Sequence, residues 1–113
     1  MQMLDFNALQ QPSWPVKLRD DEQTVVHVSA PTVELYDRLI TATPELEQAA
    51  KTKDDRTIRA LYNLVADIMS INDDGYKFTG EELRGKYRLT LVDIIRFVGG
   101  YLQFQKEIQE AKN

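Results

Sequence analysis

The sequence predicts a mainly α-helical domain with a small N-terminal β-hairpin, an α+β fold of about four to five helices. Two patterns support this prediction. Short β-branched runs flank a polar turn near the N-terminus, and the rest of the chain places apolar residues at helical spacing behind cap signals. The 113 residues fit a single domain, with an extended segment and hairpin over 1–30 and a helical part over 31–113.

The hairpin is predicted from two β-prone runs, PVKL at 15–18 and TVVHV at 24–28, which flank the polar link at 19–23. Pro12 and Pro15 favour extended backbone around the first run. Because two strands alone are marginal in water, the hairpin must pack against the helices or pair with another chain.

Two helices are predicted directly after the hairpin. Thr32 is placed as the N-cap of the first, whose apolar stripe is Leu35, Leu39 and Ile40. Thr43 before Pro44 repeats this pattern, because proline is tolerated in the first turn of a helix. The sequence therefore predicts a separate, short second helix over 44–51.

Two longer helices are predicted in the second half of the chain. Asp54 or Asp55 caps a strongly periodic helix over about 55–71. Thr90 and Asp93 form a capping-box pair for a last helix over about 90–110. Between them, the Thr79 hydroxyl is expected on the backbone N–H of Glu82, with the Glu82 side chain reaching back.

Composition excludes several function classes. With a formal net charge of −4 and scattered basic residues, the chain lacks the basic patch of a nucleic-acid-binding protein. It has no cysteine, so disulfides, thiolate metal sites and cysteine nucleophiles are excluded. The first residues show neither a positive n-region nor a long apolar run, so we expect no signal peptide, and no segment reaches the roughly 20 apolar residues that span a bilayer. We expect an acidic intracellular protein that binds neither nucleic acid nor membrane.

The stretch SINDDGYKFTGEEL at 70–83 has the glycine and acidic spacing of a calcium-binding loop. Three positions depart from that pattern: Ser70 replaces the first aspartate, Lys77 replaces the usual aliphatic residue at the eighth position, and Phe78 offers no side-chain oxygen at the ninth. A turn at Asp74–Gly75 followed by a helix cap explains the same residues. We therefore expect no metal here, and a calcium-responsive domain is the third functional hypothesis.

No constellation of catalytic residues is visible. His27 is the single histidine and lies among valines in a predicted strand, so a partly buried strand residue is favoured over a catalytic one. Gly99–Gly100 is not followed by the lysine and hydroxyl residue of a phosphate-binding loop. The sequence therefore predicts a protein that is not an enzyme and has no cofactor.

The last predicted helix carries more apolar surface than one core face requires. One stripe suffices for packing and comprises Leu91, Ile94, Ile95, Val98 and Leu102. Beside it lie Phe97, Phe104 and Ile108, with Tyr101 at the border. We predict that these four residues bind a partner; a central helix packed on two sides is the alternative. The internal glycine pair predicts a bend or the close approach of another backbone.

Several segments together resemble a known family. They are LDFN at 4–7, the two hairpin strands, PTVEL at 31–35, PEL at 44–46, LY at 61–62, the DG…TxEEL stretch at 74–83 and KYRLTLVDIIRFVGGYLQF at 86–104. In order and spacing they resemble the small tail assembly chaperones of siphophages and prophages of Gram-positive bacteria. The resemblance covers nearly the whole chain, and its motifs are structural rather than catalytic.

The resemblance implies a function. Such chaperones bind the long hydrophobic tape measure protein in the host cytoplasm, keep it soluble during tail assembly, and are absent from the mature virion. Many also exist as a longer product of ribosomal frameshifting, of which this chain would be the short form. The alternative is a small regulatory or structural module that self-associates, as a homo-oligomer, through its last helix or its hairpin.

Overall fold

A computed structural model describes residues 3–5, 12–52 and 54–111 and confirms the predicted α+β fold. A two-stranded antiparallel hairpin precedes the helices, and the helices enclose one hydrophobic core. Within the described residues the elements are β1 (Ser13–Lys17), β2 (Val25–Ser29), α1 (Val33–Thr52), α2 (Asp55–Met69), α3 (Gly80–Gly85) and α4 (Leu91–Ala111). None of these helices combines the length and apolar character that crossing a bilayer requires.

The hairpin occupies the predicted position and has one inner and one outer strand. In the strand pairing, Trp14 lies opposite Val28 and Val16 lies opposite Val26. The side chains of Val26 and Val28 are fully buried. The second edge of β2 is also used, because the Ser29 N–H donates to the Ile71 carbonyl at 2.9 Å. β2 therefore lies between β1 and the loop after α2, which makes β1 the outer strand.

α1 is a single helix that continues through Pro44, so the predicted boundary at Thr43–Pro44 is wrong. A proline in a helix interior removes one hydrogen bond and costs about 3 kcal/mol. The opposing contribution is burial, because one apolar stripe runs on both sides of the proline: Leu35, Leu39, Leu46 and Ala49. The Thr43 hydroxyl donates to the Leu39 carbonyl at 2.9 Å, a bond within the same helix.

The predicted helix caps are confirmed. The Thr32 hydroxyl accepts from the Leu35 N–H at 3.2 Å, and the Asp54 side chain caps α2 by accepting from the Arg56 N–H. α3 begins with the full capping box, in which the Thr79 hydroxyl accepts from the Glu82 N–H and the Glu82 carboxylate accepts from the Thr79 N–H. These local bonds define where each helix begins.

α2 is the central element of the fold. It contacts α1, α3, α4 and β2, and it has the clearest apolar face. Seven of its residues are buried: Leu61, Tyr62, Leu64, Val65, Ala66, Ile68 and Met69. The Tyr62 hydroxyl donates to the Leu89 carbonyl at 2.6 Å, which ties α2 to the segment that enters α4. α2 thus holds the hairpin and α4 in fixed relative positions.

Candidate functional site

The calcium-like loop is a turn that holds the hairpin. The Asn72 side-chain oxygen accepts from the backbone N–H groups of Asp74 and Tyr76, at 3.0 and 3.1 Å. Gly75 has φ +79°, a conformation that glycine adopts without strain. The predicted turn is therefore confirmed. Among the described residues no group of three potential ligands is placed to hold a metal ion.

His27 fastens this loop to β2. Its backbone N–H donates to the Asp74 carboxylate at 2.7 Å, and its ring Nδ1 lies 3.2 Å from the same oxygen. The backbone bond is the main reason that the pKa of Asp74 lies below its usual value. The side chain is exposed because it alternates with the inward-facing Val26 and Val28. The predicted strand position of His27 is confirmed, and its predicted partial burial is wrong.

Three of the four predicted partner-binding residues lie in the core. Phe97, Tyr101 and Phe104 are 9%, 1% and 8% exposed. The indole of Trp14 covers them, with ring centroids 5.3, 6.1 and 6.3 Å from theirs. We call these four residues the aromatic cluster. Ile108, the fourth predicted residue, is half-buried against the same core.

The expectation that this stripe of α4 stands free beyond the core is therefore wrong. The alternative, a helix packed on two sides, describes the structure, because α4 contacts α1 and α2 while Trp14 of β1 covers its aromatic stripe. Partner binding by Phe97, Tyr101, Phe104 and Ile108 stays a prediction.

The glycine pair of α4 makes room for Trp14. A Cβ at Gly100 would lie 2.7 Å from indole Cζ2 and 2.8 Å from Cη2, closer than carbon atoms pack. A Cβ at Gly99 would meet no atom within 4 Å. The predicted approach of another backbone is wrong, because the close contact is made by the Trp14 side chain, and only Gly100 of the pair takes part in it.

This difference gives a matched pair of substitutions. We expect Gly100→Ala to destabilise the domain by roughly 1–3 kcal/mol, because Trp14 must shift out of its place. Gly99→Ala adds the same methyl group to the same helix and should stabilise it by up to about 1 kcal/mol. Urea unfolding measured by circular dichroism compares the two variants. Equal effects of the two substitutions would contradict the packing of Trp14 on Gly100.

A second contact joins the hairpin to α4. The Tyr101 hydroxyl donates to the carbonyl of Ser29, the last residue of β2, at 2.9 Å. Burial raises the pKa of the Tyr101 phenol above its usual range, so the group stays neutral and remains a donor. One face of α4 is therefore bound to both strands of the hairpin.

A third contact lies where the hairpin turn meets the start of α4. The Arg19 guanidinium donates to the Asp93 carboxylate and to the Arg88 carbonyl, each at 2.8 Å. Asp93 also accepts from the Thr90 N–H at 2.8 Å, and the Thr90 hydroxyl accepts from the Asp93 N–H, which confirms the predicted capping box. The bond from Arg19 is the largest cause that holds the pKa of Asp93 well below its usual range.

The depressed pKa of Asp93 gives a pH dependence. A carboxylate whose pKa is lower in the folded state stabilises the fold above its unfolded pKa of about 3.9 and loses that effect as the pH falls further. We expect Asp93→Asn to lower the free energy of unfolding at pH 7, with the deficit shrinking below about pH 4. Urea unfolding of both proteins at several pH values measures this. A deficit that is constant with pH would contradict the role of the charge.

The structure also contains a groove between β1 and the first half of α4. Its volume is about 490 Å³. We call it the hairpin groove. Its apolar lining consists of Trp14, Val16, Leu18, Met69, Leu89 and Phe97. Arg19 and Asp93 lie at its rim, so the same ion pair that fastens the hairpin also borders the groove.

The sequence did not reveal the hairpin groove, because its walls come from segments far apart in the chain. The single signal for this packing was that the sequence contains a large side chain, Trp14, in a strand and a glycine in a helix that is otherwise apolar. A large side chain and a residue without one are complementary, but many other pairings of the same residues were equally compatible with the sequence.

Comparison of the chain with protein-family models, with curated proteins and with solved structures finds no match in any of the three.

Proposed function

We propose that this protein is a tail assembly chaperone that binds the tape measure protein of a siphophage or prophage and keeps it soluble. The observation that carries this proposal is the ordered series of segments described above, which spans nearly the whole chain. In this proposal the protein acts in the host cytoplasm and is absent from the mature virion.

The arrangement of those segments is compatible with this function. The PVKL and TVVHV runs form the hairpin, the TxEEL stretch caps α3, and the long segment at 86–104 contains most of α4. Residues that flank the two hairpin runs contact the long segment: Trp14 packs on Tyr101, the Tyr101 hydroxyl donates to the Ser29 carbonyl, and Arg19 pairs with Asp93. The hairpin and the long segment therefore pack together and border the hairpin groove, whereas Phe6 and Asn7 of the LDFN segment lie outside the described residues.

Physical properties also support a chaperone of the holding type. Such a protein covers apolar segments of its client and keeps the complex soluble through its own charge. This chain has an apolar groove and a formal net charge of −4. The work of a holding chaperone is binding, which requires no catalytic residue.

Co-expression tests the proposal. A candidate tape measure protein is produced alone, with the wild-type protein, and with an unrelated acidic protein of similar size. We expect the soluble fraction of the tape measure protein to rise with the wild-type chain and the two to co-purify. No increase over the unrelated protein, together with a homodimer that carries no client, would contradict the proposal and favour a self-associating module.

A further inference from the structure

We propose that the hairpin groove takes one face of an amphipathic helix of the client, with carboxylates beside its apolar anchor residues. This inference rests on the proposed function and deepens it by naming the binding surface and the chemistry of the bound segment. A client helix would insert apolar side chains at helical spacing into such a groove.

The groove offers a fixed apolar surface. Trp14, Val16 and Leu89 are half-buried on its walls, whereas Met69 and Phe97 beneath them are buried. The position of Trp14 is set by Gly100 and by the ring of Phe97 at 5.3 Å. A preformed apolar surface binds without the cost of ordering its own side chains, so this groove suits large apolar anchors.

The charge of the groove is opposite to that of the protein. Its charged lining is Lys17, Arg19, Arg96 and Asp93, an excess of two positive charges in a chain of formal net charge −4. Arg19 already pairs with Asp93. Lys17 and Arg96 are exposed, and neither forms an ion pair within the described residues. Two free cations thus border the apolar surface.

Two other grooves formed by the described residues lack this feature. Between α1 and α2 the charged lining is Asp37, Glu45 and Arg38, and that arginine pairs with Asp67 at 3.0 Å. A depression between α2 and α3 is lined by Arg59 and Arg84, and both pair with Asp55. The hairpin groove combines an apolar lining with unpaired cations, so its occupant carries carboxylates.

Pro15 argues for a helix rather than an added strand as the occupant. The Leu18 N–H donates to the Thr24 carbonyl. Because every second residue of an antiparallel strand points its backbone N–H and C=O toward the partner strand, the backbone groups of Trp14 and Val16 also point toward β2. Pro15 then lies at a position that faces the open edge of β1, where a further strand would require an N–H donor. Proline has none. A helix satisfies its own backbone groups and needs no donor from β1.

The test uses two synthetic peptides of about 18 residues, long enough to form a helix on a surface. Both carry leucine at positions i, i+3, i+4 and i+7, and they differ in having glutamate or lysine beside these anchors. We expect the wild-type protein to bind the glutamate peptide several-fold more tightly than the lysine peptide at low salt. The double variant Lys17→Glu with Arg96→Glu should reverse this preference.

The matched control is Arg56→Glu with Lys106→Glu. Both control residues are exposed and lie outside the groove lining, and each double variant changes the formal charge by four, from −4 to −8. We expect the control to keep the wild-type preference. Thermal melts of both variants, and of the milder Lys17→Gln with Arg96→Gln, establish that folding is intact.

Several outcomes separate this inference from the proposed function. Equal affinities of the wild type for the two peptides, or the same change in both double variants, would overturn the inference. If the wild type self-associates, binds neither peptide, and becomes monomeric on Lys17→Glu with Arg96→Glu, the groove belongs to a second copy and the inference also fails. Should the charge-reversed variant solubilise the tape measure protein as well as the wild type does, the function stands and the groove assignment falls. If the peptides bind as expected but the tape measure protein does not bind, the groove assignment stands and the proposed function falls.

Discussion

The double substitution Phe97→Ser with Phe104→Ser should unfold the domain. Both side chains are more than nine-tenths buried and contact the indole of Trp14. Truncating a buried phenylalanine costs about 3–5 kcal/mol, and serine adds a buried hydroxyl. Two such losses sum to about 6–10 kcal/mol before the cost of the buried hydroxyls, which is comparable to the whole stability of a typical domain, about 5–15 kcal/mol. Circular dichroism and urea unfolding of the purified variant measure the result.

Two control substitutions on α4 calibrate that result. Ile94→Ala, at a fully buried position, should cost roughly 2–5 kcal/mol and leave a folded protein. Val92→Ala, at a position that is 55% exposed, should change stability by less than about 0.5 kcal/mol. A double phenylalanine variant as stable as the Val92→Ala protein would contradict the burial of the aromatic cluster and restore the free surface that the sequence predicted.

The second large effect is expected from Trp14→Ala. The indole contacts three aromatic rings of α4 and fills the space above Gly100, so its removal opens a cavity between hairpin and helix. We expect a loss of about 3 kcal/mol, the lower end of the range for tryptophan truncation because Trp14 is half-buried. Loss of the hairpin contact should also increase hydrogen exchange in β1 and β2 more than in α2.

A double-mutant cycle separates this contact from a general loss of stability. Gly100→Ala should be harmful in the wild-type protein and neutral or stabilising in the Trp14→Ala protein, because the clashing indole is then absent. Gly99→Ala should change the free energy of unfolding by the same amount in the wild-type protein and in the Trp14→Ala protein. Additive effects of Trp14→Ala and Gly100→Ala would mean that the two residues do not share this contact.

Local signals predicted much of the fold. Caps such as Thr32, Asp54 and Thr79 act through hydrogen bonds within a few residues, so the sequence alone specified where those helices begin. The hairpin was predictable for the same reason, since two β-branched runs and their turn are close in sequence. The helix boundary at Pro44 was predicted wrongly, because the local free-energy cost of the proline is smaller than the stabilisation gained by burying an apolar stripe on both sides of it.

The candidate site was much less predictable. The sequence showed that α4 has two apolar stripes, but the identity of the group that covers the second stripe depends on where the hairpin packs. Only the tertiary structure brings Trp14 onto Phe97 and places Lys17 near Arg96 at the border of one groove. Sequence periodicity reports which side of a helix is apolar, and it carries no information about the covering partner.

The fluorescence of Trp14 tests most directly whether the hairpin groove binds the client. Trp14 is the single tryptophan of the chain, and it lies half-buried on the groove wall. A tryptophan-free fragment of the tape measure protein is titrated into the wild type and into the Lys17→Glu with Arg96→Glu variant. We expect the wild-type emission to shift to shorter wavelength as the client excludes water from the indole, with a weaker and salt-sensitive response in the variant. Saturable binding that leaves the Trp14 emission unchanged would contradict the groove as the client site.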